Sequence, residues 1–330
     1  MSKKRWIALV IAVVLLFVSL GFQATTAFRM ANLEEVVNLG NGKFNEKVLE
    51  TGSGAEKIVV LRLNGVIQDT MTGAFNTSGY NHNAFLEMID EAGKDPSVAG
   101  IIVRVNSPGG GVVESDEIHD KIIEVQQENE KPVYVSMGNT AASGGYYIAA
   151  PADKVIAHPS TLTGSIGVIM QSYNFSELAD QIGVDVNTIK SGEFKDIMSP
   201  YRNMTEEEHS ILQAMIDELY GNFVQVIADG REMEESTVRE IGDGRVYTGA
   251  QAQELGLVDE LGTLDDTIDM METDFELNNP QIVEYTQGFG INQFLGVQFQ
   301  NVFGSGSDLD GMVEMLQQSK SPRAMYLYSE

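Results

Sequence analysis

The chain reads as an α/β protein with a buried sheet, and three observations carry that reading. Apolar runs of strand length alternate with segments of helical spacing. The strand runs are largely continuous in apolar residues, not apolar only at every second one. Charged residues make up 21% and hydrophobic ones 43%, a globular proportion. With 330 residues the chain can bury a core of ordinary size, in one large domain or two modest ones.

The N-terminus is M-S-K-K-R followed by an apolar run from Trp6 to Phe22. As a helix that run spans about 26 Å at ~1.5 Å per residue, close to the ~30 Å hydrocarbon core. Lys3, Lys4 and Arg5 predict a cytoplasmic start and an extracytoplasmic remainder, with Trp6 at the interface. Residues 1–28 are therefore read as a signal-anchor transmembrane segment. A cleaved signal peptide competes with that reading, since Ala24 and Ala27 are small, although no A-x-A follows. Residues 29–55 are polar and glycine-dotted and read as a juxtamembrane stalk.

From there I-V-V-L-R-L-N-G-V-I (58–67) predicts a strand, and Phe85, Met88 and Ile89 have helical spacing within 81–92. A second strand over 98–105 leads into N-S-P-G-G-G, and a helix over 114–130 carries Ile118, Ile122, Ile123 and Val125 on one side. P-V-Y-V-S-M (132–137) is a third strand, and a helix begins near Ser143. Strands are expected at 154–157, 165–170 and 184–189, with a helix at 175–182 between the last two. Thr205-Glu-Glu-Glu208 is a capping box opening a long helix to about Asp229. Shorter helices follow near 235–241 and 249–255, another from Thr263 to about Phe275, and then the strand-like Q-I-V-E-Y-T. Near the end, G-S-G-S-D-L-D-G (304–311) is a flexible joint before the tail S-P-R-A-M-Y-L-Y-S-E.

Composition excludes several chemistries. The 48 acids against 21 bases give a net charge of −27, which repels nucleic-acid phosphates, so no nucleic-acid partner is expected. The absence of cysteine removes thiol nucleophiles, disulfides and thiolate metal sites. His82, His119, His158 and His209 lack metal-ligand spacing, so a metalloenzyme would have to rely mainly on carboxylates; no metal and no cofactor are expected.

Two glycine-flanked stretches remain as candidate chemistry. N-S-P-G-G-G (106–111), between a strand and a helix, lets backbone amides approach a ligand oxygen; alone it also fits a turn needing positive φ. It has neither the P-loop Lys-Ser/Thr nor dinucleotide-fingerprint spacing. In N-T-A-A-S-G-G-Y-Y-I-A-A (139–150), Ser143 stands in a clearing of small residues. An N-cap serine needs no clearing, whereas a nucleophile does. Gly144 can offer an oxyanion amide and a glycine of 109–111 a second. The surroundings are not G-x-S-x-G, so an α/β-hydrolase elbow is not met.

The base is open on these grounds alone. His158 would complete a histidine triad; Lys190 and Lys195, in N-T-I-K-S-G-E-F-K-D-I-M-S-P, are the lysine candidates. A lysine serves as base only when neutral, so its surroundings must bring it from about 10.4 toward 7–8. Ser165, in T-L-T-G-S-I-G-V, is either a turn residue or a hydroxyl that holds such an amine.

Together N-S-P-G-G-G, A-A-S-G-G-Y-Y-I-A, A-D-K-V-I-A, T-G-S-I-G-V and S-G-E-F-K-D resemble the signal peptide peptidase A (protease IV) family, in the family's order, over roughly residues 56–270. The resemblance implies a Clp protease–crotonase-like fold of stacked β-β-α units and a serine protease with a Ser–Lys dyad. It implies Ser143 as nucleophile, Lys195 as general base, Ser165 as the residue positioning the lysine, and Gly110 and Gly144 as oxyanion donors. The substrates it implies are cleaved signal peptides, held by apolar pockets. The chain is similar to short family members, which form rings in which Lys195 of one subunit would serve Ser143 of its neighbour. On this basis residues 56–275 are the peptidase domain and 276–330 a C-terminal extension and tail.

Two other readings are a crotonase-type acyl-CoA enzyme, disfavoured by an extracytoplasmic location, and a non-catalytic oligomeric scaffold. The tail R-A-M-Y-L-Y-S-E is either a disordered end or an extended strand lying in a substrate groove, its own or a neighbour's.

Overall fold

The computed structural model describes residues 44–69, 80–286 and 323–328. The predicted membrane segment, residues 6–22, lies outside them, as does the glycine–serine joint; among the described residues no helix is long and apolar enough to cross a membrane. Lys47–Glu330 forms one compact unit, while the preceding unit falls almost wholly outside the described residues.

Its centre is a mostly parallel sheet built from β1 (Asn45–Glu50), β2 (Lys57–Asn64), β3 (Val98–Ser107), β5 (Val133–Ala142), β6 (Lys154–Ala157), β9 (Glu260–Leu261) and β10 (Gln281–Thr286), in the order β1-β10-β2-β3-β5-β6-β9. β1 lies within the stretch read from sequence as stalk, and β10 enters between β1 and β2. Both faces of the central strands are covered, which explains their unbroken apolar runs: Ile58 through Leu61 and Ile101 through Val103 have no exposed surface.

One face packs on α1 (His82–Lys94), which in turn packs on α2 (Val112–Glu128). Asn81 caps α1 by accepting from the Ala84 amide at 2.9 Å, and the helix buries Phe85, Met88, Ile89 and Ala92. Each of the three larger side chains contributes about 1.5–3 kcal/mol by leaving water. The opposite face holds Ile58, Val60, Ile102, Ile156 and Ile282 against Ile268 and Met271 of α8 (Leu264–Asp274). α8 starts at a Thr263–Asp266 capping box.

β5 is the element that makes the site. Its first half pairs with β6 and its second half, Thr140–Ala142, with β7 (Leu162–Gly164), so it leaves one part of the sheet for another. A register irregularity between Val105 and Ser107 accompanies the change; there Asn106 Oδ1 accepts from the Thr140 amide. β7 pairs in turn with β8 (Val246–Thr248), antiparallel. β5 ends at Ala142, and one turn of helix, α3 (Gly144–Tyr147), follows.

The remaining helices are α4 (Ser176–Ile182), α5 (Glu206–Gly230), α6 (Glu235–Ile241) and α7 (Gly249–Glu254). The Thr205–Glu208 capping box forms as expected. Two predicted strands do not. At 165–170, Gly164 and Ser165 take φ of 74° and 50°, which ends the pleat, and only Ile169 makes a bridge, to Met325. At 184–189 the apolar residues Val184, Val186 and Ile189 are exposed and the segment pairs with no strand among the described residues.

Candidate active site

Ser143 sits between β5 and α3 with φ 52° and ψ −117°, a conformation that is strained for any residue with a Cβ. The backbone holds it there. Its amide donates to Gly164 O at 2.8 Å, and its carbonyl accepts from the Tyr146 and Tyr147 amides at 2.8 and 2.9 Å. Its hydroxyl caps no helix amide, so the N-cap explanation of this serine does not apply. The small residues around it have separate causes. A Cβ on Gly145 would stand 2.9 Å from Ser107 O, a packing limit, whereas one on Gly144 would meet Ser115 Oγ at 2.6 Å and Tyr326 O at 3.1 Å.

Tyr326 belongs to the tail. Met325–Leu327 form β11, antiparallel to β4 (Gly109–Gly111), with Tyr326 opposite Gly110. On the other edge of β4, Ile67 donates to Gly109 O at 2.9 Å and accepts from the Gly111 amide at 2.8 Å. The N–H of Gly110 must therefore point the opposite way, toward Tyr326. The Tyr328 amide donates to Pro108 O at 2.8 Å, two residues along, and antiparallel alternation then makes Tyr326–Gly110 a hydrogen-bonded pair. The Tyr326 carbonyl thus faces the Gly110 amide. A Cβ on Gly109, whose φ is 98°, would overlap that carbonyl oxygen and stand 2.6 Å from Gly144 N. The glycines keep one small space open, and a peptide carbonyl fills it.

The rest of the tail is held on both sides. Met325 exchanges two hydrogen bonds with Ile169, at 2.9 and 3.0 Å. The Tyr326 ring is buried, stacked 4.9 Å from Tyr147 and tilted against Phe223 at 4.7 Å, and its hydroxyl donates to Leu219 O at 3.1 Å. Tyr147 is itself fixed through a 2.6 Å bond to Asp116. Of the two readings of the tail, residues 323–328 take the groove-bound one.

Ser165 follows Gly164, the residue bonded to the Ser143 amide, and its own amide donates to Arg245 O at 2.8 Å. It opens on a cavity of about 470 Å³ shared with Ile169, Tyr220 and Leu327, and no lysine is among the described residues lining it. Ser143, Gly110, Gly144 and Ser165 are thus neighbours.

Lys195 is not brought to them by any described contact. It is exposed, on the turn after Gly192, and makes no ion pair among the described residues. The two lysines differ here. Lys190 Nζ donates to Asp196 and to Glu193 O, both at 2.6 Å. Asp196 also takes a fork from Arg202, which reaches Glu208 of the α5 capping box as well. Hydrogen bonds from Arg202, then Lys190, hold the Asp196 carboxyl well below the usual range. This network fixes the turn next to Lys195. His158 is exposed, accepts from the Ser160 amide at 3.1 Å, and lines a different cavity with Arg104 and Asn139.

The sequence reading missed Ile67 and Ile169, which supply backbone to the groove, and the Tyr147–Phe223 pocket. Backbone partners leave no residue-type signal. The double tyrosine after A-A-S-G-G was the one available hint.

A groove that accepts an extended peptide as an added strand beside a serine on a strained turn suits a serine hydrolase acting on peptides. The sequence model of peptidase family S49 matches residues 125–278. A candidate signal peptide peptidase SppA of Enterococcus faecium is 38% identical, covering 99% of each chain. Protease 4 of Salmonella typhi is 37% identical over 64% of this chain and 33% of its own length, and the chloroplastic serine protease SPPA of Arabidopsis thaliana is 32% identical over 64% and 31%. The chain belongs to peptidase family S49, with the signal peptide peptidase A and protease 4 proteins, and is a serine protease.

Proposed function

We propose that this protease is a membrane-anchored Ser–Lys endopeptidase that degrades cleaved signal peptides. The carrying observation is the tail: its Tyr326 carbonyl faces Gly110 and lies beside Gly144, next to Ser143, as a scissile carbonyl would. In this reading Ser143 Oγ attacks the carbonyl carbon while a neutral Lys195 amine takes its proton. The Gly110 and Gly144 amides receive the oxyanion, and the lysine ammonium then protonates the leaving amine. Water, deprotonated by the same amine, hydrolyses the acyl-enzyme. Ser165 positions the amine, and the apolar pocket of Tyr147 and Phe223 suits the large hydrophobic residues of signal peptides.

Lys195 is supplied by a neighbouring copy in a ring-shaped homo-oligomer. Two features support this: the cavity beside Ser165 contains no lysine of its own, and Lys195 lies on an exposed, apolar-rich arm. Desolvation between copies is a physical route to a neutral amine. The apolar run 6–22, with its basic flank, is the anchor, and the sheet architecture is in keeping with the Clp protease–crotonase class.

The test is Ser143→Ala, assayed on a synthetic signal peptide, with an acylating inhibitor mapped by mass spectrometry. Loss of cleavage by at least about 1,000-fold, with the label on Ser143 in the parent, is expected. Cleavage retained in Ser143→Ala, or a label elsewhere, rejects the assignment.

A further inference from the structure

Glu114 is a charged feature of the groove that cleavage chemistry does not use. Glu114, in the first turn of α2, is about nine-tenths buried, with its carboxylate packed into the space left by Gly111. Its Oε1 accepts from the Asp69 amide at 3.0 Å and from Arg323 Nη1 at 2.9 Å. Arg323 stands three residues before Tyr326, just ahead of the bound strand, and its side chain is about one-third exposed.

A buried carboxylate needs partners that replace water. Burial works to raise this carboxyl, but hydrogen bonds from Asp69 and its own backbone amide, with the Arg323 charge, hold it below its ordinary value. The surroundings add negative charge. Asp69 and Glu117 lie close enough, with Glu114, to push the buried Tyr80 hydroxyl upward, burial being the larger cause. A ligand without a cation at this point leaves the carboxylate one partner short.

We propose that Glu114 is a specificity-determining residue, an acidic subsite that selects peptides with arginine or lysine three residues before the residue whose carbonyl faces Gly110 and Gly144. A single N–H meets the carboxylate, so the site reads charge and reach and does not need the bidentate geometry of arginine. The inference rests on the groove being the substrate groove. It adds a basic side chain to the apolar residue that the Tyr147–Phe223 pocket takes.

The test is equilibrium binding to full-length Ser143→Ala protein, which separates the subsite from the chemistry. The probes are the labelled octapeptide of residues 321–328 and its twin with citrulline in place of arginine. The chain's own tail competes equally with both, so the ratio of affinities is unaffected. The arginine peptide should bind about tenfold more tightly, a preference removed by adding Glu114→Gln, whose amide oxygen can still accept from Asp69. Equal affinities, no binding of either peptide, or a preference that survives Glu114→Gln would overturn the proposal. If the double variant does not fold, the ratio of kcat/KM for the same two peptides on the parent enzyme decides: about tenfold supports the subsite, unity overturns it. A parent enzyme that leaves both peptides intact while Ser143→Ala protein prefers arginine would sink the proteolytic reading and leave the subsite standing.

Discussion

Gly110 and Gly144 face the same carbonyl, yet a methyl group would be received differently at each. At Gly110 it would overlap the backbone oxygen of Ile67, which is tied into two ladder bonds and cannot turn aside. At Gly144 the nearest atom is Ser115 Oγ, on a side chain and not the backbone, followed by the Gly110 nitrogen and the Tyr326 oxygen, both at 3.1 Å. Gly110→Ala should therefore cost about 1–3 kcal/mol of stability, as overpacking does. Gly144→Ala should keep its melting temperature near the parent's while lowering kcat/KM by roughly tenfold or more, because the methyl intrudes where the oxyanion forms. Thermal scans and peptide kinetics on both variants check this, and the reverse pattern would show that the two glycines have been assigned the wrong constraints. The sequence displayed both glycines but not their difference. That difference depends on Ile67, which is 43 residues before Gly110 and meets it only in the fold.

Among the elements, the predicted helices and buried strands form nearly where their patterns place them, since capping and core burial are written locally in residue type. Thr205 with Glu208 is the clearest instance. The misses share one cause. The segments 165–170 and 184–189 are apolar enough for strands, but the first is matched to a peptide in the groove and the second exposes its apolar residues. Periodicity reports that a residue seeks burial, not who buries it. The tail strand β11 follows the same logic, since Met325, Tyr326 and Leu327 complete a groove built by β4 and Ile169. A tethered strand competes at high effective concentration. Ending the chain after Ser321 should raise kcat/KM for small peptides by roughly tenfold, mainly through KM, measured at equal protein concentration. An unchanged KM would mean that the strand does not compete with substrate.

At the scale of the whole molecule, the described chain carries a contradiction that the proposed second copy would resolve. Its body is closely packed, while the arm around Lys195 exposes Tyr173, Phe175, Leu178, Ile182, Val184, Val186 and Ile189 together. A patch of that extent marks an interaction surface. The candidate nucleophile lies in the body and the candidate base on the arm, 52 residues later in the sequence. The Arg202–Asp196 fork shows that the turn next to Lys195 is fixed before any partner arrives. If arms and bodies of neighbouring copies meet head to tail, each site draws one residue from each of two chains. Ser143→Ala and Lys195→Ala proteins, each inactive alone, should then regain activity when unfolded together in equal amounts and reassembled. Random neighbours place an intact serine beside an intact lysine in about a quarter of the interfaces, so about a quarter of parental activity is expected. A mixture as inactive as its parts, with assembly intact by light scattering, would place both residues in one subunit and require the arm to fold back onto its own body.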